Sequence, residues 1–570
     1  LKTVFPSSPS VLPLTAAPGA MADVNERLIT SADDMVNSRE TKFQRRSSSM
    51  RMADPPKAKP VQKAGCFSFL CGGKPAPLEA DVVLIGAGIM SATVGLLLKQ
   101  LEPSWKILMI ERLGAPSEES SNGFNNAGTG HAGFMEPNYT KEVVKDGKAT
   151  VTHEKIQTIC EQFSLSRQYW AHLADQKLIG NPDCFIHHSN HIALGIGEDQ
   201  VEFIKKRYEV MKNLPLFSSI ELALDKETQQ QWAPLIWEGR DPSDKVAMTR
   251  IKYGTDVDFG ALAKEKVKAF QKLGGDLRLF TEVTNVRKQK DGKWLITTKS
   301  NSVNKTSYIK AGFVFVGAGG WALNLLQKAK IDEIKGYMAL PVTGDWAVCQ
   351  NPDVVKKHKV KVYAPGAPGA PPMSMPHLDF RTIGGKEMLL FGPFGSITFK
   401  FLRYGSVLDA LKAVRPHNLL PTAAVMLCEA PDLVIMLMKD VFKTKSGRVA
   451  DIRHYYPEAD PQDWSFTPAG VRAQIIKKDP KKVGTLQFGT EVVGNKEGTI
   501  VGLLGASPGA SICVSTALDV LAKCFGNKDC YQSWKPKLQA MIPSFGTKLS
   551  ENPGMIEQMY SQTGASLGIH

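Results

Sequence analysis

The stretch from residue 81 to residue 111 constrains the fold most, because it has the pattern of a strand, a glycine turn, a helix and a second strand. Residues 81–85 and 105–110 are short apolar runs of the kind that form strands buried on both faces of a sheet. Gly86, Gly88 and Ser91 lie between them, at the start of a helical stretch that continues to about residue 100. Two strands joined by a helix in this way are parallel, so the sequence predicts a βαβ unit.

The spacing of the small residues in this turn predicts a dinucleotide site. Gly86 allows a tight turn, Gly88 lets the backbone approach a pyrophosphate, and Ser91 is small enough for close packing of helix on strand. The N–H groups at the start of the helix then attract the phosphates. Glu111 ends the second strand, 25 positions after Gly86, where its carboxylate can accept from ribose hydroxyls. The alternative is a tight turn without a ligand, and this motif does not distinguish FAD from NAD.

Three later features favour FAD. A predicted strand at 312–316 runs into a second glycine turn, and a third glycine-rich turn at 505–511 precedes a helix whose N-terminus suits a flavin and its ribityl chain. The small-residue loop 120–133 follows the second strand and suits a backbone that presses against a flat isoalloxazine ring. Each cluster alone is typical of a turn, but three in this order indicate FAD. The candidate cofactor residues in these segments are Asn126, Gly128, Gly130, Gly317, Gly319, Gly505, Ser507, Gly509 and Ala510.

The pattern of elements predicts an α/β fold in which a Rossmann-like FAD-binding domain is interleaved with a second, α+β domain. Antiparallel strands are expected at 277–286 and 294–298 around a turn at Asp291 and Gly292. Proline and glycine cluster at 364–376, which predicts a long surface loop, in one interpretation over the active site. The predicted FAD-binding domain comprises residues 81–150, 254–345 and 484–530, and the substrate or cap domain, with its mixed or antiparallel sheet, comprises residues 151–253 and 346–483.

The two ends of the chain are predicted to lie outside these domains. Residues 1–80 are rich in Ser, Pro, Ala and Lys, without sustained periodicity, and are expected to form a disordered extension. Residues 41–63 contain seven basic residues and one acid, a pattern that partly resembles an organelle targeting segment. Cys66 and Cys71 lie either in a plain linker or at a reversible acylation site. Residues 531–570 are expected to form a C-terminal tail.

Composition excludes several classes of function. The formal net charge of +14 is spread along the chain without a dense basic stripe and interleaved aromatics, so nucleic acid is not an expected partner. Such an excess is typical of a solvated surface, or of attraction to anionic lipid or to an anionic substrate. The most apolar stretch, 423–438, is interrupted by Glu429, Pro431 and Asp432, so no transmembrane helix is predicted. The nine cysteines show no metal-ligand spacing, and no metal site is expected.

Ten segments closely resemble malate:quinone oxidoreductases, and the resemblance covers about residues 80–530. They include SSNGFNNAGTGHAGF (120–134), EPNYT (136–140), PHLDFR (376–381), RAQIIKKD (472–479) and LLGASPGAS (503–511). The resemblance implies a fold similar to the D-amino-acid-oxidase-like flavoproteins, FAD as cofactor, oxidation of (S)-malate to oxaloacetate, and transfer of electrons to a membrane quinone. Because reduced flavin must reach that quinone and no transmembrane helix is predicted, we expect peripheral contact with an anionic membrane. We expect this to be the mitochondrial inner membrane in a eukaryote, and otherwise the cytoplasmic face of the plasma membrane.

Oxidation of a 2-hydroxy acid by a flavin requires a base for the hydroxyl proton, and histidine is the usual choice near neutral pH. His377 is the first candidate, His131 near the flavin ring is the second, and Asp379 is placed to orient one of them. For either histidine the alternative is a structural hydrogen bond or a surface position.

A dicarboxylate also needs cationic partners. Arg381, close to His377, is the first choice for substrate binding and a candidate member of the catalytic group. Arg250, Lys400 and Arg403 follow, and each of the four could instead form a surface ion pair.

Two other functions remain open at this point. One is a related FAD-dependent dehydrogenase or oxidase of another 2-hydroxy acid, for example 2-hydroxyglutarate. The other, from a different class, is a flavin-binding module without catalytic activity. A nicotinamide-linked malate dehydrogenase is disfavoured because it has no need of the third glycine turn.

Overall fold

The computed structural model describes residues 76–130, 134–145, 147–365, 377–487, 489–505 and 509–569, with the side chains of 432, 434 and 440 excepted. The predicted N-terminal extension up to residue 75, with Cys66 and Cys71, lies outside these ranges, as do His131, Ser507 and most of the predicted loop at 364–376.

The predicted βαβ unit is present. The strand Leu78–Ile85 leads into the helix Ile89–Leu101, and the strand Ile107–Ile110 returns parallel to the first. All four residues of Ile107–Ile110 are buried, because helices or sheet cover both faces. Val82 packs in one hydrophobic core and Val83 in another, so the sheet separates two cores.

This unit belongs to an eight-stranded sheet, called here the nucleotide sheet. Its strands are, in spatial order, Asp276–Arg278, Ile107–Ile110, Leu78–Ile85, Thr306–Val316, Trp294–Ser300 and Thr281–Lys288. Ile500–Gly505 pairs in parallel with the end of Thr306–Val316 and antiparallel with Thr490–Gly494. Helices Phe259–Lys272 and Cys513–Phe525 pack on the same side as Ile89–Leu101, while Ala322–Ala329 packs on the other.

The predicted hairpin turn at Asp291 and Gly292 is confirmed, but the strand predicted at 277–286 is two strands. Asp276–Arg278 pairs with Ile107–Ile110, whereas Thr281–Lys288 pairs with Trp294–Ser300 at the other end of the sheet order. Phe280 has a φ of +51°, a left-handed conformation that ends the first strand and redirects the chain.

A ten-stranded sheet, called here the substrate sheet, forms the second layer of strands. Its spatial order is Val483–Gln487, Arg472–Asp479, Met338–Cys349, Lys386–Ile397, His377–Ile383, Val360–Tyr363, Asn190–Ile196, Val246–Ile251 and Glu221–Ala223, with Trp464–Pro468 paired beside Met338–Cys349. Met338–Cys349 crosses the predicted domain boundary at residue 345, because bulged pairing with Lys386–Ile397 continues past that point. The other domain limits stay predictions.

Alternation along His377–Ile383 places its side chains on two faces of the sheet. Leu378 and Phe380 pack in the core of the substrate sheet. His377, Asp379 and Arg381 therefore share the opposite face, as the two-residue period of a strand requires.

Smaller elements connect the two large sheets. Thr129–Gly130, Thr255–Val257 and Ile186–His188 form a three-stranded sheet, and Glu142–Lys145 pairs with Lys148–Val151 as a hairpin. The remaining helices are Glu154–Asp175, Glu198–Met211, Lys226–Trp232, Pro234–Trp237, Pro352–Val355, Asp409–Ala413, Pro416–Ala424, Pro431–Val441 and Lys445–Tyr455. Across the ranges given above, no helix has both the length and the apolar character needed to cross a membrane.

The segment 531–570, predicted as a tail, is largely helical and packs on the body of the protein. It carries most of Asp529–Met541 and all of Pro553–Leu567. Arg167, on the helix Glu154–Asp175, donates from Nε to Thr563 Oγ1 at 2.6 Å. Leu567, which is fully buried, belongs to the same core as that helix, so the segment contributes to the fold.

Candidate active site

One cavity of about 670 Å³ joins the glycine turns of the nucleotide sheet to the substrate sheet. Its walls include residues of the first, second and third glycine turns and of the loop after the second strand. The predicted cofactor residues that line it are Gly86, Gly88, Glu111, Asn126, Gly128, Gly317, Gly319, Gly505, Gly509 and Ala510. Turns that are separated by some 400 positions in sequence thus open into one space.

The first two turns are in backbone contact. Gly86 has a φ of +94°, and a Cβ at this position would lie 2.5 Å from the carbonyl oxygen of Gly317. A Cβ at Gly317 would in turn lie 2.2 Å from Oγ of Ser91. Ser91 does not line the cavity but is buried behind it. Its small size allows the predicted close packing of helix on strand.

The start of the helix Ile89–Leu101 faces the cavity together with Glu111. Glu111 accepts from the N–H groups of Ala87 and Leu113, both at 2.8 Å, which fixes its carboxylate beside the turn. Ser121 Oγ accepts from the N–H of Ile89 at 3.0 Å. The sequence analysis did not single out Ser121, although it lies in the small-residue loop after the second strand. This geometry matches a phosphate and ribose site at a helix N-terminus.

Asn126 fixes the loop that passes between the two sheets. Its Nδ2 donates to the carbonyl oxygens of Ser121 and Asn122, and its Oδ1 accepts from the N–H of Gly128. Gly128 has a φ of +58°, and a Cβ there would lie 2.0 Å from the Arg381 guanidinium. The absence of a side chain therefore lets the loop lie directly on Arg381.

Gly130 lies elsewhere than predicted. It pairs with Thr255 in the three-stranded sheet, where a Cβ would lie 1.7 Å from the Thr255 hydroxyl oxygen, and it does not line the cavity. Strand packing accounts for this glycine.

The third turn depends on backbone freedom in the same way. Gly505 has a φ of +95°, and a Cβ there would lie 2.1 Å from the carbonyl oxygen of Gly489. Gly509 and Ala510 follow shortly before the helix Cys513–Phe525 and line the cavity.

Of the predicted catalytic residues that the structure describes, His377 is the one that lines the cavity. Its Nδ1 lies 2.7 Å from Oδ2 of Asp379, so its other ring nitrogen remains for a ligand. The ring stacks on Tyr363, with centroids 4.8 Å apart, and meets Trp346 edge to face. These contacts fix the imidazole in one orientation. The position of His131 is outside the described residues, so its predicted role stays a prediction.

Asp379 begins a buried row of alternating charges. Lys361 Nζ lies 3.5 Å from Asp379 and 2.9 Å from Asp256, and Arg381 Nε lies 2.7 Å from Asp256. The side chains of Lys361, Asp256 and Arg381 have no exposed surface, and that of Asp379 is almost fully covered. We call these four residues with His377 the ionic row.

The ionic row keeps Asp379 charged. Burial alone would raise the pKa of Asp379, but its interactions with His377 and Lys361 outweigh burial and lower that pKa to about 2. Burial raises the pKa of Glu136, which lines the same cavity, and the nearby His377 opposes that rise. Of the two carboxyl groups near His377, Glu136 therefore holds a proton more readily than Asp379.

None of the four cations predicted to bind substrate is among the described residues that line the cavity. Arg381 is held by Asp256 and donates to the carbonyl oxygen of Asn126. Arg250 pairs with Glu221 at 2.7 Å. Each of these guanidinium groups already has protein acceptors, which explains why it is turned away from the cavity.

The other two predicted cations also differ in position from the prediction. Arg403 donates to Asn125 Oδ1 at 2.8 Å, and the N–H of Lys400 donates to Thr398 Oγ1. Leu402 and Tyr404, the two neighbours of Arg403 in sequence, do line the cavity.

Four other cations line the cavity, namely Arg112, Lys155, Lys412 and Arg472, and the sequence analysis singled out none of them. Arg472 begins the strand Arg472–Asp479, and burial lowers the pKa of its guanidinium, against the effect of Tyr139 and Glu136. Lys155 Nζ lies over the ring of Tyr139, 4.8 Å from its centroid, and burial lowers its pKa as well. Arg472 and Glu136 are the first residues of the segments RAQIIKKD and EPNYT, so the quoted resemblance did contain a signal for both.

Solved structures of low sequence identity share this fold. L-alpha-glycerophosphate oxidase from Mycoplasma pneumoniae, solved with FAD bound, matches with a TM-score of 0.51 and 19% identity, over 78% of this chain and 94% of that chain. Glycine oxidase from Geobacillus kaustophilus matches with a TM-score of 0.50 and 16% identity, over 78% and 95%. The predicted fold class is confirmed: the chain shares the mixed α/β fold, with several sheets, of these solved oxidases.

Sequence comparison gives the family within this class. The family model of malate:quinone oxidoreductase (Mqo) matches residues 78–569. The malate:quinone oxidoreductase of Corynebacterium glutamicum is 46% identical over 492 residues, covering 86% of this chain and 97% of that protein. A probable malate:quinone oxidoreductase of Hahella chejuensis is 44% identical over 492 residues, covering 86% and 98%. The chain belongs to the malate:quinone oxidoreductase family, as the sequence resemblance predicted.

Proposed function

We propose that this protein oxidises (S)-malate to oxaloacetate with FAD and passes the electrons to a quinone. The observation that carries the proposal is that one cavity connects residues of three glycine turns to His377, whose partner is Asp379. Family membership supports malate and quinone as the reactants.

The cavity has the features that FAD requires. Gly86, Gly317 and Gly505 bring backbone into contact with backbone at the turns, where a Cβ would meet a carbonyl oxygen or a packed side chain. Glu111 lies beside the first turn for a ribose, and the helix start offers N–H groups to a pyrophosphate. When bound, FAD supplies an acceptor for the hydride that leaves C2 of malate.

The substrate end of the cavity contains the groups for proton transfer. Asp379 holds the His377 ring by its Nδ1, which leaves Nε2 to take the hydroxyl proton of malate. The negative charge of Asp379 stabilises the imidazolium that results. Loss of that proton together with the hydride from C2 converts the alcohol into the ketone of oxaloacetate.

Arg472 and Lys155 are the cations that we propose for the two carboxylates of malate. Both line the cavity, and neither forms an ion pair with another side chain of the described residues. A guanidinium can bind a carboxylate with two parallel hydrogen bonds, which fixes both its position and its orientation. Arg381 then acts as a positioning residue beneath the loop at Gly128.

The test is an absorbance spectrum of the purified protein before and after malate is added without oxygen. A flavin spectrum that malate bleaches, and that a quinone analogue restores, is the expected result. 2-Hydroxyglutarate, lactate and amino acids serve as matched substrates. A colourless protein that does not take up FAD refutes the proposal. Faster bleaching by 2-hydroxyglutarate supports a related dehydrogenase, and bound FAD that no hydroxy acid reduces supports a binding module.

We further propose that the protein acts at the mitochondrial inner membrane in a eukaryote, and otherwise at the plasma membrane.

A further inference from the structure

The exposed apolar side chains of this protein are concentrated in one segment. Thirteen of the 21 large apolar side chains that are exposed among the described residues lie between 399 and 442. Single exposed apolar residues are normal on a protein surface, but a concentration of this kind marks an interaction site. The segment also contains the whole apolar stretch 423–438, which is too interrupted to cross a membrane.

In the helix Pro416–Ala424 and the turn after it, a polar side chain is buried and apolar side chains are exposed. Asn418 is buried, and its Nδ2 donates to the carbonyl oxygens of Tyr337 and Ala413, at 2.9 and 3.0 Å. Leu420 and Leu427, in contrast, are 68% and 75% exposed. A polar side chain therefore anchors this region to the body of the protein, while leucines face outward. A helix that needed only to be soluble would have the opposite arrangement.

The next helix, Pro431–Val441, has apolar side chains both in the core and on the surface. Leu433 and Leu437 are buried in the core, whereas Ile435 and Met438 are about half exposed. Phe442, just after the helix, is 66% exposed. Val425, in the turn after the first helix, and Leu433 and Leu437 of the second helix are buried in the same hydrophobic core, so the exposed side chains of this region lie on the side of the molecule away from that core. We call this side, with Leu420, Leu427, Ile435, Met438 and Phe442, the apolar face.

Charge and location identify the partner of the apolar face. Six basic and four acidic residues occur between 399 and 443, and one of the acids, Asp409, is buried and accepts from the backbone N–H groups of Phe401 and Ser406. Lys412 and Lys439 are exposed. The same segment reaches the rim of the cavity through Leu402, Tyr404 and Lys412. Apolar side chains flanked by lysines match the boundary between the headgroups and acyl chains of an anionic bilayer.

We propose that the apolar face docks this protein on an anionic lipid bilayer. The inference extends the proposed function, in which the electron acceptor is a quinone dissolved in the same bilayer. Docking through this face places the cavity next to the membrane.

The first test measures how the purified holoenzyme partitions onto vesicles of phosphatidylcholine with phosphatidylglycerol. The triple variant Leu420→Asp, Leu427→Asp, Phe442→Asp should lower the partition coefficient by at least ~100-fold, since each lost side chain removes a favourable transfer into lipid. The control places the same three changes at exposed positions outside the apolar face, Val144, Leu224 and Val303, and should bind as the wild type does. Vesicles of phosphatidylcholine alone should bind the wild type more weakly.

Reduction of the flavin by malate, with a soluble dye as final acceptor, separates this inference from the proposed function. Both triple variants should retain that activity, because none of the changed residues lines the cavity. If malate fails to reduce the flavin in the wild type, the proposed function fails, while the vesicle result still decides the docking inference. Unchanged partition of the first triple variant overturns the inference, and so does a wild type that does not bind vesicles. If the first triple variant partitions as the wild type does, but the wild type is a dimer that the three changes dissociate, the apolar face is a contact between two copies of this chain.

A second measurement requires no change within the apolar face. Cys428 is exposed beside Leu427, and Cys184 is exposed outside the segment. Cys66, Cys71 and Cys530 are replaced by serine, and so is one of the two exposed cysteines. An environment-sensitive fluorophore is then attached to the exposed cysteine that remains. Vesicles should shift the emission to the blue at Cys428 and leave it unchanged at Cys184. Equal shifts, or no shift at Cys428, overturn the inference.

Discussion

Replacing Asp379 with Asn removes one negative charge from the middle of the ionic row. In the native protein this carboxylate lies 2.7 Å from Nδ1 of His377 and 3.5 Å from Nζ of Lys361, and it is almost fully buried. The neutral amide keeps the shape of the side chain but leaves Lys361 and Arg381 to share Asp256. The substitution therefore tests two effects, the orientation and charge of the base and the balance of buried charge.

The two effects have different magnitudes. A hydrogen bond to a charged group contributes about 1.5–3 kcal/mol, so loss of the charged partner of His377 should lower kcat/KM for malate roughly 10- to 150-fold. Breaking a buried ion pair by removal of one partner costs about 3–5 kcal/mol of folding stability, because the other charge stays buried without compensation. Asp379→Asn should show both losses.

A second substitution separates the two losses. Lys361→Met removes the cation that Asp379→Asn leaves in excess, so the double variant has a neutral row in which Asp256 still pairs with Arg381. Most of the lost stability should return in the double variant, measured as the free energy of unfolding in urea. The rate of flavin reduction by malate, measured by anaerobic stopped flow, should stay as low as in the single variant. Lys361→Met alone should be destabilised by a similar amount, since Asp379 then lacks its cation.

The rates decide the role of Asp379. If the double variant recovers both stability and rate, the carboxylate acts on catalysis through the fold alone. If Asp379→Asn reduces its flavin at the wild-type rate, His377 does not depend on its partner, and the assignment of the base is wrong.

Three further predictions concern substrate, cofactor and pH. Arg472→Gln should raise KM for malate roughly 10- to 150-fold, from the same 1.5–3 kcal/mol, with a smaller effect on kcat, and a KM unchanged in steady-state kinetics would exclude it from the substrate site. Gly86→Ala should contain little FAD after purification, as measured by absorbance, and its free energy of unfolding should fall by about 1–3 kcal/mol, because the new Cβ would lie 2.5 Å from a backbone oxygen. The control Gly197→Ala, at φ +85° with open space around it, should keep its FAD. Burial lowers the pKa of His191 and of His358 from 6.5 to about 4, so the unfolded chain binds their protons first as the pH falls. The stability from these two side chains is complete above pH 6.5 and is lost toward pH 4, so each histidine should lower the free energy of unfolding by about 2 kcal/mol at pH 5 relative to pH 7.5. In urea unfolding at the two pH values, His358→Gln should lose less stability on acidification than the wild type. An equal loss in the variant and the wild type would contradict the assignment.

The parts of the fold that the sequence predicted are those that local pattern determines. The turn at Gly86 and Gly88 lies between two apolar strands within about 30 residues, and both its conformation and its packing follow from that stretch. The same holds for the hairpin turn at Gly292, which has a φ of +82°. At Phe280 the prediction failed, because a left-handed residue that divides a continuous alternating pattern has no signature in that pattern.

The parts of the site that the sequence did not predict depend on partners far along the chain. Arg381 lies two positions from Asp379 on the same strand face, and the sequence alone made it a natural partner for malate. Its ion pair is with Asp256, which a different sheet brings to within 2.7 Å. Gly130 belonged to the right loop but pairs with Thr255, 125 positions away. Composition and spacing contain no information about such pairings. A residue whose type suits a ligand was therefore predicted to bind that ligand.

The ionic row also explains why the base and the cofactor loop occupy fixed positions relative to each other. Lys361 donates to the carbonyl oxygen of Ala127 and Arg381 to that of Asn126, while the same two cations hold Asp379 and Asp256. Buried ions are costly to desolvate, and an apolar row of the same volume would often be as stable. The charges have a geometric role that apolar residues cannot perform, because directed contacts join His377 on the substrate sheet to a loop that lines the cavity from the nucleotide sheet. A shift of one member of the row therefore changes the distance between the proton acceptor and the cofactor loop.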